Sequence, residues 1–379
     1  MPAPHILVAI DSLDPAGAEM YAVQVANAMD ERGIAVTLAA GEHNGNGLSG
    51  NVRHGVRRLN LPWRWSPSKA AQVTTLATSS RTIARYVRAE GVTTVQTLLP
   101  ATMIAAWAAA RRTGTPVVHT PMHVSDNVGR LERIVSAFIL PRADLVVALG
   151  TYIRDDTVRA FGTSAERTVV CRLGVDVGHF APGGRAAARA AFGLPDDLPT
   201  VGMCTGLRPI KDPMLALHAF AALRRRRKAA FLIVGDGEMR GEMEGYVEAQ
   251  GIASDVHFAG HCADVRTAVP AFDVYLETCK GPNLGLAPLE TLSMGVPLLV
   301  ATRNADEQAM AADTLVDGSA GSMAPAEPEA LADALDTFFS RSPDALAAGS
   351  AAARATAETY YRWEAHADCL ASHYRHLAR

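Results

Sequence analysis

The chain has 379 residues, a hydrophobic fraction of 49%, 36 basic against 39 acidic side chains and a net charge of −3. That length and apolar content suffice for two cores of roughly 150 to 200 residues each, and the balanced charge excludes nucleic-acid binding driven by bulk electrostatics. Cys171, Cys204, Cys262, Cys279 and Cys369 are odd in number, scattered and never spaced Cys-x-x-Cys, so neither a disulfide framework nor a zinc site is expected and a reducing cytosol fits.

Residues 6–10 form a continuous apolar run, the pattern of a buried parallel strand. The run is too short for a signal peptide and lacks a basic lead, and no stretch nears the roughly 20 apolar residues of a membrane span. A loop from Asp11 to Glu19 leads into a helix with Tyr21, Val25, Ala28 and Met29 on its apolar side. Gly33 closes the helix, and a strand at 35–40 completes a βαβ unit. The single Gly17 falls short of Gly-x-Gly-x-x-Gly, so a dinucleotide site with Glu42 on the ribose is disfavoured.

The loops at 45–51 and 62–67, the second with Trp63 and Trp65, either line an acceptor cleft or pin themselves to the core. Strands at 92–98 and 116–119 flank a helix at 101–112. His119 and His123 then fall at a strand's carboxyl end, where open α/β sheets bind ligands. Further strands are expected at 143–150 and 169–173, and the Gly-, Ala-, Arg- and Pro-rich stretch 181–199 reads as a linker with a short helix.

Strand and helix alternation restarts at 200–204. The fold class expected is therefore α/β, with two Rossmann-like doubly wound parallel sheets facing across a cleft. The boundaries are 1–175, a linker at 176–199, 200–358 and a terminal helix at 359–379. After the strand at 200–204, Arg208 and Lys211 precede Asp212, the expected N-cap, and Pro213 at the first helical position. Two cations there can neutralise a diphosphate. Between the strand at 230–234 and a helix, Gly235-Asp236-Gly237 is by composition a turn and by position a nucleotide-facing loop. The strand at 256–260 leads to His261 and Cys262, and the basic run 224–228 reads as a solvated helix end.

Residues 281–300 read as a loop, a helix begun by Pro288, a stop at Gly295 and a strand opening at Pro297. Glu290 shares a stripe with Leu286 and Met294 on a helix apolar almost all round. A loop entering a helix N-terminus is a ready anion site, and a carboxylate one turn in can accept hydrogen bonds from ribose hydroxyls. The competing reading is a capping box, for which Ala287 at the cap position lacks the hydroxyl.

These residues resemble the retaining GT-B glycosyltransferases of the GT4 type. The likeness lies in Gly285-Leu286, Leu289-Glu290-Thr291, Gly295 and Pro297, with support from Ala16-Gly17-Ala18-Glu19, the segment Gly174 to Pro182, the Arg208 and Lys211 pair and Gly235-Asp236-Gly237. It departs from the family at Pro282, where the family's first Glu touches the transferred sugar. The resemblance implies a metal-independent enzyme using no cofactor, with a UDP-sugar or GDP-sugar as donor. It implies catalytic roles for Arg208, Lys211 and His123, with His119 in reserve, and donor contacts from Gly17, Arg208, Lys211, Gly235, Asp236, His261, Cys262, Asn283, Leu284, Gly285, Leu286 and Glu290. It also implies a terminal helix that crosses back to the first domain.

No stretch marks a membrane patch, which favours a small soluble acceptor, in secondary metabolism such as antibiotic biosynthesis, and a cytoplasmic enzyme; a homodimer stays open. The alternatives are a sugar-nucleotide 2-epimerase of the same fold and, because of Pro282, a non-catalytic sugar-nucleotide binder.

Overall fold

A computed structural model describes residues 3–14, 17–41, 47–63, 69–122, 124–125, 128–281, 285–316 and 318–378. The chain divides into two units, Met1–Leu173 with Glu364–Arg379, and Gly174–Trp363.

In the first unit the elements run β1 (His5–Ile10), α1 (Gly17–Glu31), β2 (Ala35–Gly41), β3 (Arg57–Leu61), α2 (Lys69–Glu90), β4 (Thr94–Thr97), α3 (Pro100–Thr113), β5 (Val117–His119), α4 (Arg130–Ile139), β6 (Leu145–Ala148), α5 (Thr151–Phe161) and β7 (Thr168–Val170). The strands make a seven-stranded sheet in the order β3-β2-β1-β4-β5-β6-β7, every pair parallel. β1 is buried along its whole length, as an apolar run covered on both faces must be. The chain builds outward from β1 to β3 and then returns to β1's other side, so the order reverses between β1 and β4. The crevice outside the carboxyl ends of such a pair is where open sheets bind ligands.

The second unit repeats the plan with α6 (Arg185–Ala191), β8 (Thr200–Cys204), α7 (Pro213–Arg224), β9 (Ala230–Val234), α8 (Arg240–Ala249), β10 (Val256–Gly260), β11 (Val274–Glu277), α9 (Leu286–Ser293), β12 (Leu298–Thr302), α10 (Ala305–Leu315), β13 (Gly321–Pro325), α11 (Pro328–Phe339) and α12 (Pro343–Tyr360). Its six-stranded parallel sheet has the order β10-β9-β8-β11-β12-β13, and the reversal falls between β8 and β11. Val201, Met203, Phe231, Ile233 and Leu276 from the sheet pack with Leu217, Phe220 and Leu335 from α7 and α11.

The stretch read as a linker packs within the second unit. Arg189 of α6 is completely buried, donating to the carbonyls of Pro195, Leu198 and Ala271. A buried guanidinium is tolerated only with its donors satisfied, and here backbone oxygens do so.

The last helix, α13 (Trp363–Leu377), packs on the first unit. His366 donates from Nδ1 to the Arg172 carbonyl (2.8 Å) and, as a neutral ring, accepts at Nε2 from Tyr21 Oη (2.9 Å), Arg32 pairs with Asp368 (2.8 Å), and Tyr374 Oη donates to Gln96.

One expectation is corrected. Cys171 and Cys369 form a disulfide, with Cα atoms 5.8 Å apart across a sequence separation of 198. Spacing rules see only near neighbours, and this pair meets because α13 returns to the end of β7. The basic run at 224–228 stays at the surface, as expected, with Arg225, Arg226 and Lys228 exposed, and acids line it. Arg224 pairs with Asp255, Arg225 and Arg226 with Glu329, and Arg227 with Asp336, so the run meets an acidic stripe on α11.

Candidate functional site

The second unit's β8 and β11 end side by side, and the loops that follow are stitched together. Thr278 Oγ1 donates to the carbonyls of Lys211 (2.9 Å) and Asp212 (3.0 Å), and Lys280 N donates to Ile210 O (2.8 Å). Lys211 is half-buried at this junction. Burial pushes the Glu277 carboxyl at the end of β11 upward, and the Lys211 ammonium pulls it back down. Arg208 is exposed and has no ion-pair partner among the described residues. The two cations thus differ: Lys211 is half-buried, close enough to the buried Glu277 for its charge to act on that acid, and Arg208 is exposed.

Asp212 occupies the N-cap position of α7, but its carboxylate does not cap the helix. Its backbone is left-handed (φ 47°), and Oδ2 instead accepts from Arg303 Nη2 at 2.7 Å. Arg303 follows β12 and also donates to the carbonyls of Thr278 (2.9 Å) and Cys279 (3.2 Å). Glu307, at the start of α10, accepts from Arg303 N (2.6 Å) and Gly281 N (2.8 Å). Arg303 and Glu307 therefore clamp the two loops in place. Neither stood out in the sequence, because a single Arg and Glu four apart on a helix start are ordinary; only the topology shows what they hold.

α9 begins at Leu286, two residues before Pro288, with Gly285 rather than Ala287 at the N-cap and no side-chain cap. Its first amide groups are left for a ligand or solvent. Glu290 is therefore the fifth helical residue, too deep for a capping box. Half-buried, it has no hydrogen-bond partner among the described residues, and burial pushes its carboxyl up to about 7. Gly295 ends the helix with φ 79°.

β8's last residue, Cys204, ties these groups to one edge. Burial raises its thiol to about 12, with further effects from Glu290, Cys262 and Glu277, which lie close enough for their charges to act on it. The loop after β9 packs on the same strand end. A methyl at Gly235 would lie 1.9 Å from Thr205 O, and one at Gly237 would lie 2.3 Å from Leu207 O, so both positions need glycine. Asp236 accepts from Gly237 N (2.8 Å) and Arg240 (3.0 Å), both of which lower its pKa. His261 is exposed beside it, and the Cys262 thiol donates to Asp264 O at 3.0 Å.

In the first unit, Gly17 is the first residue of α1 and a methyl there would meet nothing. Behind it are two acids that burial pushes upward, Glu19 and Asp11, the latter accepting from Thr102 N at 3.1 Å. Asp11 is a residue the sequence reading passed over. His119 is wholly enclosed, bonded to Thr97 Oγ1 at 2.8 Å, and burial holds its pKa at about 3, so its imidazole stays neutral. Trp63 packs on the first unit's core, which settles the pinning role for that residue. His123, Asn283, Leu284, Pro282, Glu42 and Trp65 lie outside the described residues.

The family model Glycosyltransferase Family 4 matches residues 15–179, and Glycosyl transferases group 1 matches residues 198–341. The D-inositol 3-phosphate glycosyltransferase of Rhodococcus jostii is 30% identical over 299 residues, 71% of this chain and 63% of that protein. Its namesake in Actinosynnema mirum is 27% identical over 221 residues, 52% of each, so the chain spans about half to two-thirds of the length of these relatives. In three dimensions the chain resembles Anabaena HepE, solved with UDP and glucose, with a TM-score of 0.80, 19% identity and coverage of 98% and 99% of the two chains. It also resembles a glycosyltransferase from Rickettsia africae, with a TM-score of 0.83, 16% identity and full coverage of both.

Proposed function

The chain belongs to the GT4-type glycosyltransferases of GT-B fold, and from that premise we propose that it moves a sugar from a nucleoside diphosphate sugar to a small hydroxyl-bearing acceptor. The transfer retains anomeric configuration and needs no metal. The observation that carries this reading is the half-buried Glu290, whose carboxylate has no partner among the described residues, on a helix without a side-chain cap, at the edge that also bears Lys211. A diphosphate meets the helix start and the cations, and its ribose hydroxyls donate to Glu290.

Charge builds on the diphosphate as the sugar departs. Lys211, beside the buried Glu277, and the exposed Arg208 stabilise it where a divalent metal would otherwise serve. The neutral imidazole of His119 cannot supply a cation, so a histidine contribution falls to His123. The donor is a UDP-sugar or GDP-sugar. The names of the relatives favour an acceptor of the inositol phosphate class over one of secondary metabolism. Among the described residues no helix is long and apolar enough to cross a membrane. A cytoplasmic site of action suits a nucleotide-sugar enzyme, while the Cys171–Cys369 bond is the feature that argues for an oxidising one.

The test is transfer from UDP- and GDP-sugars to a panel of polyol, sugar and inositol phosphate acceptors, with the product anomer read by NMR. A retained anomer is expected. A 2-epimerised sugar formed without acceptor assigns the alternative enzyme, and tight nucleotide binding with every donor left intact assigns a binding protein.

A further inference from the structure

The first unit closes where α13 returns to β7, and a set of ligating side chains meets at that seam. Cys369 and His373 stand four residues apart on α13, so both project from one side of the helix. His366 shares that side, within a sector of about 60° at 100° per residue. The side faces the segment that follows β7, where Cys171 lies. One ligand atom from each of Cys171, Cys369 and His373 falls within 4.8 Å of the other two. Cys171 is buried, and Cys369 and His373 are half-buried.

This arrangement does not depend on the disulfide for its assembly. Cys171 N donates to Ala148 O at 3.0 Å, which fixes that residue beside β6. His366 Nδ1 donates to the carbonyls of Cys171 (3.2 Å) and Arg172 (2.8 Å), and Leu370 and Tyr374 of α13 are completely buried. With the sulfur–sulfur bond open, α13 is thus still held against the end of β7 and the three donors remain together. A tetrahedral metal with thiolate ligands at about 2.3 Å sets its sulfurs about 3.8 Å apart, so rotation of one thiol about χ1 makes room for it. Two thiolates and an imidazole are donors of the kind that zinc takes, whereas magnesium and calcium take oxygens. The half-buried side of the cluster leaves the fourth position to water.

We infer that reduced Cys171 and Cys369 bind a zinc ion together with His373, and that this metal and the disulfide are interchangeable clips between β7 and α13. A dithiol or phosphine reductant gives two electrons to the cystine, which takes up two protons and becomes two thiols. The metal displaces both protons to the medium as it binds. A small-molecule disulfide that takes two electrons from the thiolates, and two protons from the medium, leaves as two thiols, closes the bond again and frees the metal. Either clip spans the same separation of 198 residues, and closing so long a loop removes entropy from the unfolded chain. The disulfide serves where the surroundings oxidise, and the metal where they reduce. Cys-x-x-Cys spacing does not reveal the set, because only the return of α13 assembles it.

The test uses the full chain, reduced with a phosphine, stripped of metal by a chelator that is then removed, and titrated with zinc or, as the spectroscopic probe, cobalt. One equivalent of zinc should bind and raise Tm above that of the reduced, metal-free chain, and cobalt should give a thiolate-to-metal charge-transfer band. The oxidised chain should show neither. His373→Ala leaves both cysteines in place, so its oxidised form should keep the wild-type Tm. Its reduced form should bind zinc at least ~10-fold more weakly, since even the outer-shell partner of a ligand is worth that much. Cys369→Ser should lose the cobalt band. A reduced chain that takes up no zinc, or an affinity unchanged in His373→Ala, overturns the proposal. So does a full cobalt band in Cys369→Ser, which would assign the metal to Cys204, Cys262 or Cys279.

Discussion

Replacing Glu290 with Gln isolates the group on which donor recognition rests. Its carboxyl titrates at about 7 because burial disfavours the charge and no described group compensates for it. Ribose hydroxyls that donate to it would favour the ionised form, so donor binding should release a proton below neutrality. At about pH 6 roughly a tenth of the carboxyls are ionised, and at about pH 8 roughly nine tenths, so the Kd should tighten about tenfold, or about 1.4 kcal/mol, across that interval. A UDP-sugar is the probe, because its diphosphate is esterified at both ends and lacks the terminal phosphate proton that leaves near pH ~6. Calorimetry in buffers of different ionisation heat gives both affinity and proton count. Glu290→Gln keeps the size, cannot ionise, and should bind weakly with no pH slope. The stability of the unliganded protein moves oppositely. A carboxyl whose folded pKa is raised favours folding in its protonated form, so the wild type should lose Tm relative to Glu290→Gln as pH rises from about 4.5 to about 7. Flat wild-type affinity, or the same slope in the Gln variant, refutes the assignment of Glu290 to the ribose.

Arg208→Ala should lower turnover by at least ~100-fold with little change in Tm, since the side chain is exposed; a loss within threefold of wild type counts against its electrostatic role. Lys211→Met should show a similar loss in turnover together with a lower Tm, because it strands the buried Glu277, and an unchanged melting curve would show that Glu277 does not depend on it. Gly235→Ala places a methyl against Thr205 O at a residue with φ 134°, and should cost at least ~2 kcal/mol in denaturant titration. Cys369→Ser removes the bond to Cys171 and should cost about 2–4 kcal/mol, seen as a Tm drop that reductant reproduces in the wild type; melting indifferent to reductant would mean that the bond does not form in solution.

Much of the fold was legible because its central strands are apolar runs. The strands expected at 200–204, 230–234 and 256–260 have the bounds observed for β8, β9 and β10. Three strands leave no such signal: β11, central and buried but only four residues long, and the edge strands β3 and β13. β3 is Arg57–Leu61, exposed along most of its length, and β13 is likewise exposed except at Ala324, so neither shows an apolar run. The site was legible where local chemistry marks it, at Arg208, Lys211 and the glycines of the loop after β9. Pro288 points to a helix starting at itself, whereas α9 starts two residues earlier, because proline is accommodated throughout a first turn, where its missing N–H has no intrahelical partner to lose. What the sequence hid was long-range: Arg303 reaching Asp212 across 91 positions, and Cys171 meeting Cys369. Neither leaves a local signal, because each depends on which strands become neighbours.

The packing of α13 bears on how the chain is born. The first unit takes in residues from both ends of the chain, with everything from Gly174 to Trp363 intervening. On a ribosome adding about 5–20 residues per second, that interval lasts roughly 10 to 40 seconds. During it, Tyr21 and Gln96 have yet to meet His366 and Tyr374, and the second unit, contiguous in the chain, can finish first. The usual order of synthesis, amino-terminal unit before the rest, is reversed here at its last step: the nascent first unit waits for the final helix to seal it.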